Sequence, residues 1–218
     1  MADIIFISGI DTDAGKTYAT AHLAALFANE GRSVITQKFI QTGCSGFSED
    51  IEAHRRLTNS CLLPEDLDHT TAPIIFSYPA SAQLAAELDG KKIDLDIIDR
   101  ATAKLAERYD VVLIEGAGGL MVPITDTYFT IDYIASRHLP VALVTNATLG
   151  SINHTILSLE ALASRSIPLH SILYNSHFDH IDPVIAADTR RFISQYASRL
   201  HPGTPIIDIP SFQTSNEQ

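Results

Sequence analysis

Residues 4–28 carry the feature that most constrains the fold. An apolar run from Ile4 to Ser8 leads into Gly9-Ile10-Asp11-Thr12-Asp13-Ala14-Gly15-Lys16-Thr17, and helical periodicity then runs from Lys16 to Ala28. A glycine-bracketed turn between a strand and a helix points successive backbone N–H groups at one centre. The helix dipole adds positive potential there, so the turn can hold a phosphate with few side chains. Such a loop gives its lysine, here Lys16, to the β- and γ-phosphates and the next hydroxyl, here Thr17, to a Mg²⁺ ion. Five residues, one more than usual, separate Gly9 from Gly15, so the spacing is loose and the strand-loop-helix context carries the assignment. The alternative is an ordinary βα turn that ends in Lys-Thr.

The rest of the chain repeats this alternation. Short β-branched runs cover Ile4 to Ser8, Ser33 to Gln37, Val111 to Glu115, Val141 to Thr145, Leu169 to Tyr174 and Ile206 to Ile209. Helical periodicity covers Lys16 to Ala28, Leu95 to Glu107, Ser151 to Ser164 and Pro183 to Arg199. Strands alternating with helices predict an α/β fold of the P-loop NTPase type, a mostly parallel sheet with helices on both faces. With 218 residues, 45% of them hydrophobic, residues 1–218 are expected to form a single domain. The segment Thr42 to Ser81, broken by Gly43, Gly46, Pro64, Pro73 and Pro79, is expected as loops and short helices over a site.

Charge narrows the partners. Against 15 basic residues stand 26 acidic ones, a net charge of -11, which disfavours nucleic acid and anionic membranes. No apolar run is long enough to span a bilayer and Met1-Ala2-Asp3 carries no basic segment, so a cytoplasmic protein is expected. Cys44 and Cys61 match no zinc or redox spacing and read as reduced structural thiols.

A metal beside the phosphates needs oxygen ligands. The strand Val111 to Glu115 ends in a carboxylate and enters Gly116-Ala117-Gly118-Gly119, expected as a loop of the kind that serves anion sites and plain tight turns alike. In a parallel sheet that carboxylate emerges on the same edge as the phosphate loop, although it could merely cap the turn. Ser48-Glu49-Asp50-Ile51-Glu52 offers three more acids, which by spacing alone read first as serving the dipole of a helix starting there. His177 and His180 lie three apart with no third ligand at suitable spacing and read as a solvated loop.

Taken in order, the Gly9 to Thr17 loop, Lys38 with Thr42-Gly43, Asp50, Glu115-Gly116-Ala117-Gly118-Gly119-Leu120 with Pro123, and Leu149-Gly150-Ser151-Ile152-Asn153-His154 resemble the dethiobiotin synthetase family from Ile5 to about Pro210. The long phosphate loop is the form that family uses. The resemblance implies a ligase that closes a cyclic urea on 7,8-diaminononanoate with CO₂ and ATP, through a phosphorylated carbamate. It further implies Thr17, Asp50 and Glu115 as Mg²⁺ ligands, Lys16 as the γ-phosphate clamp, and Lys38 with Thr12 on the carbamate beside Thr42. The nucleotide would lie along Asp13, Ala14, Gly15, Lys16, Thr17, Tyr18 and Glu115 to Gly118. Asn175 and Ser176 would meet the adenine from one side and Pro210, Ser211 and Phe212 from the other. Without the family, the alternative for Asn175 is a turn residue at a strand end. Exposed N–H groups at the helix start near Gly150, Ser151 and Asn153 suit the substrate's distant carboxylate. In this family that segment reaches across a two-fold interface, which implies a homodimer.

Two positions depart from the family pattern: Phe39 follows Lys38 where proline is common, and Ser81-Ala82-Gln83 replaces Ser-Pro-His. Both put the substrate contacts and the Thr71 to Ala86 loop in question. Among other classes, a partition or septum-site ATPase would carry a lysine where Asp11 stands. A cobyrinate-type amidotransferase would add a glutaminase domain, and a dinucleotide oxidoreductase would need Gly-x-Gly-x-x-Gly after the first strand.

Overall fold

A computed structural model describes residues 2–211. Six strands form one parallel sheet: β1 (Asp3–Gly9), β2 (Val34–Lys38), β5 (Val111–Gly119), β6 (Val141–Asn146), β7 (Leu169–Asn175) and β8 (Ile206–Ile209), in the order β2-β5-β1-β6-β7-β8. A separate two-stranded pair joins β3 (Gln41–Thr42) to β4 (Ile75–Phe76). The strands are nearly uninterrupted apolar runs because helices cover both sheet faces. On one face Ile5, Ile7, Leu113 and Val144 pack against Ala19, Leu23 and Ala24 of α1 (Lys16–Asn29). On the other, Phe6, Val112, Ile114 and Leu143 pack against α5 (Leu95–Ala106), α6 (Thr130–Ser136), α7 (Ser151–Ser164) and α8 (Pro183–Leu200).

The small residues of α1 let it lie close to the sheet, and the helix ends where Gly31 takes φ +81° just beyond it. The segment expected as loops and short helices contains α2 (Glu49–Leu57) and α3 (Pro64–Leu67). Ser48 caps α2 by accepting from the Ile51 amide, and Asp50 in its first turn also suits the dipole. Arg55 pins the helix with two 2.8 Å bonds to Asp66 and one of 2.9 Å to Thr36 on β2.

Two expectations are corrected. Gly116 to Gly119 continue β5 instead of forming a loop, because the strand keeps its pairing with β1 to Gly9↔Gly119 across a bulge. Within the Thr71 to Ala86 loop, residues from Ala82 onward belong to α4 (Ala82–Leu88), whose Ala82, Ala85 and Ala86 are buried.

Parallel pairing brings all carboxyl strand ends to one edge. The connection from β1 runs to β2 on one side and that from β5 runs to β6 on the other, so a crevice opens above β1 and β5. Register places Lys38 of β2 and Ile7 of β1 on either side of Glu115.

Candidate active site

The phosphate loop is held open by its backbone. Gly15 has φ +92°, and a Cβ there would stand 2.3 Å from Nδ2 of Asn175. That amide donates to the Ala14 carbonyl at 3.1 Å and ties the end of β7 to the loop. Asp11 accepts from the Thr12 amide at 2.7 Å, fixing the single 3-10 turn at Thr12–Ala14. The Lys16 ammonium arches back over the loop to the carbonyls of Asp11 and Thr12, both at 2.9 Å. Its pKa falls to about 8, first because it is buried and then because Lys38 lies near.

Beside the loop stands a charged cluster drawn from four elements. The Thr17 hydroxyl, at the start of α1, lies 3.1 Å from Asp50 Oδ1 on α2 and 3.3 Å from Glu115 Oε1 on β5. Lys38, at the end of β2, reaches Asp50 Oδ2 at 2.6 Å, Glu115 Oε1 at 2.8 Å and the Gly116 carbonyl at 3.2 Å. His54 Nε2 sits 2.6 Å from Glu115 Oε2. Glu115 is 1% exposed, and burial alone would push its pKa up; Lys38 and His54 overcome that and hold it ionised, well below the usual carboxylate range. Burial likewise works against the Lys38 charge, and Glu115 and Asp50 raise its pKa despite it. Two carboxylates and a hydroxyl meeting at one point are hard oxygen donors. They fit Mg²⁺, which keeps several waters and takes its other ligands from substrate phosphates.

This cluster floors a cavity of about 550 Å³, a size that suits a small-molecule site. Its walls include Thr12, Asp13, Gly15, Lys16, Thr17 and Tyr18 from the loop and α1. Lys38, Thr42, Asp50, Glu115, Ala117 and Gly118 close the floor, and Asn175 and Pro210 close the far end. Ala14 and Gly116 contribute backbone carbonyls just behind this surface, to Asn175 and Lys38.

A family profile described as an AAA domain matches residues 3–207. The chain is 51% identical to the ATP-dependent dethiobiotin synthetase BioD 2 of Haemophilus influenzae over 177 residues, which cover 81% of this chain and 93% of that one. It is 46% identical to the BioD 2 enzyme of Pasteurella multocida, covering 94% of this chain and 95% of that one. The chain belongs to the dethiobiotin synthetase family. The hydrogenase maturation factor HypB of Archaeoglobus fulgidus shares its fold, with a TM-score of 0.55 at 16% identity over 96% of this chain and 81% of the other.

Both departures from the family pattern lie off the cavity wall. Phe39 is 1% exposed and turns away from Lys38 into the core, edge-on to Phe6 at 5.4 Å and 4.7 Å from Tyr133. Ser81 lies just before α4, and Gln83 donates to Asp126 at 2.5 Å, with neither on the cavity wall. Ser176 donates to the Ile209 carbonyl at 3.0 Å, linking β7 to β8, and Ser211 bonds His177 at 3.0 Å. Phe212 lies outside the described residues. Gly150, Ser151 and Asn153 are not on the cavity wall; Gly150 and Asn153 are exposed, and Ser151 turns inward to donate to Asn146 at 2.5 Å. Ile40 and Gln41, not expected from the sequence, also line the cavity; so does His177, expected in a solvated loop; and His54, likewise not expected, grips Glu115. Only the i, i+4 spacing of Asp50 and His54 hinted at the last of these.

Proposed function

We propose that this protein is a dethiobiotin synthetase that joins 7,8-diaminononanoate, CO₂ and ATP to give dethiobiotin, ADP and phosphate. The convergence of Lys16, Lys38, Thr17, Asp50 and Glu115 at the mouth of one phosphate loop carries this reading. One substrate amine attacks CO₂ and loses a proton, giving a carbamate. A carbamate is a poor electrophile, so its oxygen attacks the γ-phosphorus in line and ADP leaves. The second amine attacks the carbon of the mixed anhydride, the ring closes, and phosphate departs.

The residues divide this work by position. Lys16, set over the loop, clamps the γ-phosphate, with its depressed pKa restored when the polyanion arrives. Lys38 and Thr12 hold the carbamate across the cavity floor, with Thr42 beside them. Concentrating cationic charge where the transferring phosphoryl group gains negative charge is the largest single contribution available to such a site. Thr17, Asp50 and Glu115 would hold Mg²⁺ together with triphosphate oxygens, where it neutralises charge on the phosphates. For the base, Asn175 donates one N–H to Ala14 while its Oδ1 accepts from the His177 amide, leaving a second N–H without a partner among the described residues; Pro210 faces the same end of the cavity, next to Ser211 and Phe212 in sequence.

A homodimer accompanies this reading. Gly150 and Asn153 stand outside their own chain's cavity on an exposed helix start, flanked by Leu149 at 91% and Leu157 at 61% exposure. A partner's cavity is where their exposed N–H groups would meet the substrate carboxylate. One domain over residues 1–218, work in the cytoplasm, and no role for nucleic acid or membrane complete the proposal; among the described residues, no helix is long and apolar enough to cross a membrane. Incubation with the diamine, ATP, Mg²⁺ and ¹³C-bicarbonate tests it. A product whose urea carbon carries the label is expected, and recovery of unlabelled diamine alone refutes the assignment.

A further inference from the structure

His54 is fully buried, with Nε2 at 2.6 Å from Oε2 of Glu115 and Nδ1 without a partner among the described residues. A carboxylate offers only acceptors, so Nε2 carries the proton of that bond. Burying a ring with an orphaned nitrogen costs stability that an aliphatic side chain of similar size would not. Core packing therefore does not explain a histidine here; its bond to Glu115 does.

The two oxygens of Glu115 have separate partners. Oε1 faces the Thr17 hydroxyl and the Lys38 ammonium, while Oε2 is bonded to His54. Asp50 and His54 lie four residues apart on α2, hence on one face of the helix. The Ser48 cap and the buried Arg55–Asp66 pair fix that helix. Through His54, α2 holds the carboxylate of a strand in register with the carboxylate it carries itself.

We infer that His54 is a positioning residue for the divalent-ion site: by holding Oε2 of Glu115 it commits Oε1 to the ion, so that Glu115 binds through one oxygen. The inference rests on the reading of Thr17, Asp50 and Glu115 as ion ligands. Hydrogen-bonding partners of metal-ligating groups are worth roughly 10- to 100-fold in metal affinity.

The test is Mn²⁺ binding to the full chain with ADP, followed by the electron paramagnetic resonance signal of free Mn²⁺, with thermal unfolding in parallel. His54→Leu removes the donor at similar volume and is expected to weaken Mn²⁺ binding by roughly 10- to 100-fold. His54→Gln, whose amide can donate to the same oxygen, is expected to recover most of that loss. A merely structural histidine would lower the unfolding temperature in both variants and leave the Mn²⁺ affinity of the folded protein unchanged. A folded His54→Leu protein with wild-type affinity overturns the inference. Should that variant not fold, His54→Gln and His54→Asn decide it, since the shorter amide cannot reach Oε2; equal affinities in those two also overturn it. Asp50→Asn serves as the reference: if it binds Mn²⁺ as well as wild type, the ion-ligand reading itself fails, whereas lost binding there with none lost at His54 removes this inference alone.

Discussion

Replacing Lys38 with Met keeps much of the buried stem and removes the charge that two carboxylates share. In the wild type the ammonium lies 2.6 Å from Asp50 and 2.8 Å from Glu115, and it is 5% exposed. Removing one partner of a buried pair leaves the other uncompensated and costs about 3 to 5 kcal/mol. At ~2 to 4 °C per kcal/mol for a chain of this size, the midpoint should fall by about 6 to 20 °C. His54 still donates to Glu115, which favours the lower half of that range. Thermal unfolding at neutral pH measures the midpoint and urea unfolding the free-energy change, and a double-mutant cycle isolates its cause. Adding Glu115→Gln to Lys38→Met removes the stranded charge, so the double variant should be more stable than the sum of the single effects by about 1 kcal/mol or more, a typical coupling for residues in contact. Additive effects, or a Lys38→Met protein within ~0.5 kcal/mol of wild type, the range of an ordinary surface change, would refute the electrostatic account of the cluster.

Lys16→Ala should abolish triphosphate turnover while the protein stays folded, checked by phosphate release and circular dichroism. Gly15→Ala places a Cβ against Asn175 and forces φ +92° on an L residue; a loss of at least about 1 to 3 kcal/mol is expected in urea unfolding. Burial would raise the pKa of Asp66, but Arg55, the Leu63 amide and Thr71 hold it below 3.8. Its folded pKa is thus below its unfolded one, so its contribution is complete above pH ~3.8 and is lost as pH falls through the folded value. Asp66→Asn should be less stable at neutral pH and show a flatter loss of stability below pH 4, followed by unfolding at stepped pH. Leu149→Asp should shift sedimentation toward the monomer and reduce turnover if the exposed helix start completes a partner's cavity.

What the sequence revealed about the site followed the range of the interactions. The phosphate loop was legible because its backbone geometry is local: Gly9, Gly15, Lys16 and Thr17 are fixed by one strand-turn-helix. Glu115 was legible from a strand ending in a carboxylate, since parallel pairing dictates the edge on which it emerges. Asp50 was not separable from Glu49 and Glu52 by spacing, and the family resemblance singled it out. Its place beside Thr17 depends on how α2 packs on α1. His54 meets a partner 61 residues away, and no local pattern distinguishes a buried histidine from a solvated one. Phe39 looked like a substrate-site change because it follows Lys38, yet alternation along an extended chain sends adjacent side chains to opposite sides. The Gly116 to Gly119 run reads as a turn by composition, while its pairing with β1 is made by backbone groups that composition does not report.

Phosphate release from ATP, measured in Mg²⁺ and bicarbonate with and without 7,8-diaminononanoate, tests the central claim most directly. Release that requires both the diamine and bicarbonate, and that disappears in Lys16→Ala, is the predicted result. Release at the same rate without the diamine, or none with all components present, would contradict it.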